Sequence, residues 1–102
     1  MSRVYLSGAV TGVTGYKESF AYWEKVLQDH GYDVVNPVKV CESVGHWPHS
    51  VLMKICLLLL GECDRIFFIP GWEKSRGANQ EYGYAAARGI GILNYAEGCF
   101  WL

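Results

Sequence analysis

The sequence predicts an α/β domain: a small doubly wound, Rossmann-like parallel sheet of four to five strands flanked by helices. Two observations carry this. Short, mostly apolar segments recur at Val4-Tyr5-Leu6, Tyr32-Asp33-Val34-Val35, Arg65 to Ile69 and Ile90 to Asn94. Between them lie longer segments with apolar residues at helical spacing. The resulting order, β-α-β-α-β-α-β, fits parallel strands covered on both faces and joined by right-handed crossovers.

Each element has its local reason. Val4 to Leu6 forms a buried strand that ends at Ser7-Gly8, and Gly8-Ala9-Val10-Thr11-Gly12 is a glycine-bounded turn. From Tyr16 to His30, Phe20, Trp23, Val26 and Leu27 form one helical face, and Gly31 stops the helix. Asn36-Pro37 ends the second strand. Residues 38–47 show little periodicity and are expected to be loop. Pro48 suits the first turn of a second long helix, whose face is Val51, Leu52, Ile55, Leu58 and Leu59, ending near Gly61. Pro70-Gly71 breaks the third strand. A further helix runs from Gly77-Ala78 to Arg88, with Gly89 after it. Residues 95–102 are expected to be an apolar tail.

The chain has 102 residues, 51% hydrophobic and 19% charged, with net charge −1. That length predicts one domain over residues 1–102. The near-neutral balance predicts no nucleic-acid polymer and no anionic membrane as partner. The longest aliphatic run, Ile55 to Leu60, falls far short of the ~20 residues that span a bilayer. Four cysteines show no CxxC spacing, and the histidines supply no zinc pattern, so no metal and no cofactor are implied. No secretory leader is evident at Met1-Ser2-Arg3, and free thiols in a cytoplasmic setting are expected. The cysteines read as small buried hydrophobes.

In a doubly wound sheet, ligands bind beyond the carboxyl ends of the strands at the switch point. Loops 7–16, 36–47 and 70–77 meet there. The segment from Pro70 to Glu81 joins a strand to a helix N-terminus, where free N–H groups and the helix dipole favour an anion. Ser75 reads there as an N-cap, a ligand contact or both, and Arg76 adds charge beside Gly77. Glu81, one turn inside the helix, faces either solvent or the strand ends. Gly8 to Gly12 reads as a plain turn or a phosphate cradle, and matches neither GxGxxG nor the P-loop. Tyr5 reads as core. Trp72, on a glycine loop, is hard to place in the core, and its ring could stack on a base. His46-Trp47-Pro48-His49 has the reach to meet the pocket rim, although loop histidines more often face water.

These segments together resemble one family. Tyr5 to Gly12 is similar to "YIAGPMTG", Gly31 to Pro37 to "GYEVVNP", Cys63-Asp64-Arg65-Ile66 to "CDAI", and Pro70 to Glu81 to "PGWExSRGAxxE". These motifs mark a small branch of the nucleoside 2-deoxyribosyltransferase-like superfamily, common in phages and bacteria. The match runs in order over about residues 3–95. The resemblance implies a homo-oligomer with a pocket for a nucleoside- or nucleotide-derived ligand. It implies N-glycosidase or deoxyribosyltransferase chemistry, with Glu81 as nucleophile and Tyr5 touching it. Ser75 would hold a 5′-phosphate. Gly8, Ala9, Thr11, Asn36, Trp72, Arg76 and Gly77 are the further ligand-binding positions expected from these motifs.

One departure matters. The family's second helix resembles "MRVDLAAL", and its Asp position is Cys56 here. A thiol is a weak hydrogen-bonding group and a poor replacement for a carboxylate. The sequence therefore supports two functions. One is an active N-glycosidic-bond enzyme. The other is a silenced binder that sequesters a nucleotide-derived, cyclic ADP-ribose-like signal, as a phage anti-defence protein would. A third, plainer role is an oligomeric scaffold, with Phe100, Trp101 and Leu102 docking on another subunit.

Overall fold

Strand β1 (Arg3–Ser7) lies inside the sheet and is buried from Val4 to Ser7. In the computed structural model, which describes residues 2–102, β1 pairs in parallel with β2 (Asp33–Val35) and β3 (Arg65–Phe68). β4 (Gly91–Ala96) extends the parallel run beyond β3, and β5 (Cys99–Trp101) closes that edge antiparallel to β4. The order is β2-β1-β3-β4-β5. Among the described residues, the α-helices are α1 (Tyr16–Asp29), α2 (Pro37–Cys41), α3 (His49–Gly61) and α4 (Arg76–Arg88). The doubly wound α/β class read from the sequence is the class observed.

Strand alternation divides the core into two layers. Val4, Leu6, Phe67 and Leu93 pack with Phe20 and Leu27 of α1. Tyr5 and Ile66 pack with Leu60 of α3 and Ala85 of α4. Burying an aliphatic or aromatic side chain of this size contributes about 1.5–3 kcal/mol, which is why the buried strand positions are hydrophobic except for Ser7, while Arg3, Asp33, Arg65 and Asn94 stand at partly or fully exposed positions. Glu81, on α4, is a second buried polar residue.

The structure corrects two expectations. Residues 38–47 are not all loop: α2 begins at Pro37, and a 3₁₀ turn follows over Glu42–Val44. The Asn36 carboxamide oxygen caps α2 by accepting from the Val38 N–H at 3.1 Å. A helix of five residues is too short to show a period, so only its cap and Pro37 announced it. The tail from 95 to 102 is largely strand. Glu97 and Gly98 take φ of 52° and 81°, the two left-handed residues of a tight hairpin turn. That folds Phe100 back onto Tyr95 and Phe67, with ring centroids 4.6 and 5.6 Å away. Phe100 thus belongs to this chain's own core layer, while Trp101 and Leu102 remain exposed.

The chain leaves β1 toward β2 on one side, and leaves β3 toward β4 on the other. A crevice opens where these connections diverge. Gly8 sits at its throat, where a Cβ would lie 3.1 Å from the Ile69 Cβ. That close approach excludes any larger residue without a shift of β3's exit.

Candidate active site

The crevice is an open cavity of about 1080 Å³ above β1. Its walls are the β1–α1 loop, the α2–α3 segment and the start of α4. The carboxylate of Glu81 is set into it. Glu81 lies on the first turns of α4 and is 5% exposed. Tyr5 and Ser7 sit two apart on β1, so strand alternation points both toward α4. The Ser7 hydroxyl donates to Glu81 Oε1 at 2.6 Å, and the Tyr5 hydroxyl donates to Oε2. Each carboxylate oxygen is therefore held by one hydroxyl donor.

Burial raises the pKa of Glu81 above the usual carboxylate value, and the Ser7 and Tyr5 hydrogen bonds pull it back down. Tyr5 is pushed well above the ordinary phenol range, first by burial and then by the Glu81 charge. It stays a neutral donor at physiological pH. The Cys56 thiol, on the cavity face of α3, is pushed up to about 12, chiefly by burial, with the Tyr5 hydroxyl opposing. It is neutral as well. The fixed carboxylate is thus the group in this floor suited to carry negative charge and attack an electrophilic carbon.

Gly8, Ala9, Thr11, Cys56, Ser75, Arg76 and Gly77 line the same cavity as Tyr5 and Glu81. Ser75 caps α4, its hydroxyl accepting from the Ala78 N–H at 3.1 Å. Gly77 faces α3, where a Cβ would make ordinary contact with Met53 Sδ at 3.5 Å and His49 Cε1 at 3.9 Å. Across the mouth, Lys17 pairs with Glu42 at 3.5 Å. Among the described residues, Lys74 and Arg76, on either side of Ser75, have no ion-pair partner.

Two expected ligand positions lie elsewhere. Asn36 is buried under the cavity wall, where it caps α2 and donates to Glu24 Oε1 at 3.1 Å. Its carboxamide oxygen is spent on the α2 cap and its amide group on Glu24 of α1. Trp72 leaves the cavity because Gly71, at φ 94°, turns the chain away. Its ring packs on Phe68 at 4.3 Å and stacks on Tyr82 at 5.7 Å. Sequence reasoning passed over Ser7, and it placed the segment from His46 to His49 within reach of the rim without giving Trp47 a role. A hydroxyl two positions from Tyr5 on a fully buried strand was the available signal for Ser7. Trp47 lines the cavity and is 44% exposed.

Residues 2–94 match a family described as a domain of unknown function, DUF4406. The chain belongs to the DUF4406 family. Among solved structures, the Clostridium botulinum CMP N-glycosidase BcmB is similar to it, with a TM-score of 0.62 and 26% identity. The similarity covers 88% of this DUF4406 chain and 65% of the BcmB chain, so the chain spans just under two thirds of that protein's length. None of the curated proteins matches the chain significantly. The fold of this chain is thus similar to that of the CMP N-glycosidase BcmB, consistent with the nucleoside 2-deoxyribosyltransferase-like resemblance of its motifs. No helix among the described residues is long and apolar enough to cross a membrane.

Proposed function

We propose that this DUF4406 protein binds a nucleoside- or nucleotide-derived small molecule and cleaves or transfers at its N-glycosidic bond. The observation that carries this is the Glu81 carboxylate, buried in the cavity floor and held through both oxygens by Tyr5 and Ser7. One Glu81 oxygen attacks the anomeric carbon of the sugar. The bond from that carbon to the base nitrogen breaks, and its electron pair leaves with the base, which takes up a proton. Water or a second base then displaces Glu81 from the sugar. Similarity to BcmB supports the same class of bond.

Incubation with a panel of nucleosides and 5′-nucleotides, followed by chromatography for free base, tests this. Base release by the wild type, abolished in Glu81→Gln, is the expected result. No release from any member of the panel overturns the enzymatic reading.

Cys56 favours a second reading, a binder without turnover. Its neutral thiol lies beside Tyr5, where the family pattern has a carboxylate. Such a protein would sequester a nucleotide-derived, cyclic ADP-ribose-like signal. Calorimetry with the ligand recovered intact supports it, and base release gained on Cys56→Asp identifies a silenced enzyme. We also propose a homo-oligomer in the cytoplasm, with exposed Trp101 and Leu102 in the subunit contact. Light scattering that is unchanged after deletion of residues 101–102 removes them from that contact.

A further inference from the structure

A cavity with a carboxylate floor accounts for a sugar. It leaves open what holds the flat group attached to that sugar. Of the four tryptophans, Trp23 packs on Phe67 at 5.0 Å and Tyr95 at 5.2 Å. Trp72 packs against both Phe68 and Tyr82, and Trp101 belongs to the edge strand β5. Trp47 alone among them lines the cavity. Its ring meets only His46 among the aromatic side chains, edge-on and with centroids 6.3 Å apart.

The backbone carrying that ring is well anchored. The Trp47 N–H donates to the Val44 carbonyl at 2.9 Å, and Pro48 then leads into α3, whose Val51 and Leu52 N–H groups both bond the Pro48 carbonyl. A large indole is therefore fixed at its base while its ring stays half-exposed in the cavity. From the β1–α1 loop, Val10 and Val13 line the same cavity and are also exposed. The cavity thus joins a polar, hydroxyl-lined floor to exposed apolar groups on two separate loops. A nucleoside has the matching form: a polar sugar carrying a flat ring with apolar faces.

We infer that Trp47 is the residue on which the ligand's heteroaromatic base stacks, with Val10 and Val13 supplying apolar surface for the same group. This rests on the proposed nucleotide reading and deepens it: the ligand must carry a planar base, and a base-free sugar phosphate lacks the main apolar contact. Stacking on an indole tolerates any base, so Trp47 contributes affinity for bases as a class rather than choice among them.

The test uses full-length protein carrying Glu81→Gln to prevent turnover. Binding of AMP, GMP, CMP, UMP and ribose 5-phosphate is followed by calorimetry and tryptophan fluorescence, with thermal melts confirming that each variant folds. Trp47→Ala should weaken the tightest nucleotide by roughly 5- to 100-fold and leave ribose 5-phosphate unchanged. Trp47→Phe, which keeps a ring, should stay within about threefold and abolish the ligand-induced fluorescence change. Nucleotide binding that survives Trp47→Ala, or an equal loss for nucleotide and sugar phosphate, overturns the inference and leaves the nucleotide reading standing. Should the Glu81→Gln protein bind no nucleotide while wild type releases no base, both fall.

Discussion

Ser7 and Glu81, 74 residues apart in sequence, meet at 2.6 Å in the floor of the cavity. Ser7 is the last residue of β1, and Glu81 points back from α4 over the strand ends. With Tyr5 on the other oxygen, the pair fixes the carboxylate's orientation before any ligand arrives. A carboxylate held in this way would need little reorganisation to act as the proposed nucleophile.

Removing Ser7's hydroxyl tests that role. The hydrogen bond favours the ionised form of Glu81, so Ser7→Ala raises the pKa of that carboxylate. The acidic limb of the base-release profile should move to higher pH, because attack requires the ionised form. The maximal rate should fall about 10- to 100-fold, the range for losing a hydrogen bond to a charged group. A pH profile with an unmoved acidic limb would show that Ser7 does not support the charge.

Glu81 also makes stability depend on pH. Its folded-state pKa lies above the unfolded value, because burial outweighs the two hydrogen bonds. A group of this kind stabilises the fold below its unfolded pKa, and that contribution is lost as pH rises through the folded pKa. Glu81→Gln carries no ionisation there. Denaturant melts of both proteins from acid to mildly alkaline pH should show the Gln variant gaining on the wild type as pH rises. The opposite trend would mean that the Tyr5 and Ser7 hydrogen bonds dominate.

His30 ties the hairpin to the end of α1. Its Nδ1 lies 2.8 Å from the Val26 carbonyl and its Nε2 lies 3.0 Å from the Gly98 carbonyl. Only the doubly protonated ring donates to both. These two bonds raise its pKa above the ordinary value, against a small opposing effect of burial. The contact is complete below about pH 6.5, the unfolded value, and is lost as pH rises through the folded pKa. A proton NMR titration should place His30 above that reference. Exchange protection near Gly98 should fall over the same range, and His30→Ala should remove this dependence.

The hairpin turn carries a correctable strain. Glu97 adopts φ 52°, a left-handed conformation unfavourable for a side chain of its kind, beside Gly98 at 81°. Asparagine is better suited to that turn position. Glu97→Asn should stabilise the fold by about 1 kcal/mol and raise Tm by roughly 4–8 °C. Calorimetry showing an unchanged or lower Tm would argue that the turn is not strained.

Long periodic elements were legible from residues alone. Phe20, Trp23 and Leu27 announced α1, and the Pro70 to Glu81 motif announced the loop and helix that bear Glu81. Short elements were not. α2 is one turn and a half, and β5 depends on a Glu-Gly turn weaker in signal than Asn-Gly. Among the site positions, Asn36 and Trp72 sit in motifs that contribute other residues to the cavity lining, yet neither lines it, because motif membership does not specify where a side chain points. The cap at Asn36 and the left-handed Gly71 decide that.

What the sequence determined by itself was the alternation of apolar strands and amphipathic helices, and hence the doubly wound sheet with its crevice. Burial on both faces demands that pattern, so the pattern is written along the chain. The motif resemblance already implied that Tyr5 touches Glu81, but only the tertiary structure decided the rest. Ser7 joins that pair because β1 and α4 are brought together at the strand ends, and Trp47 reaches the cavity while Trp72 turns from it. Such contacts depend on the direction of single side chains at loop ends, where a few backbone angles outweigh any periodicity.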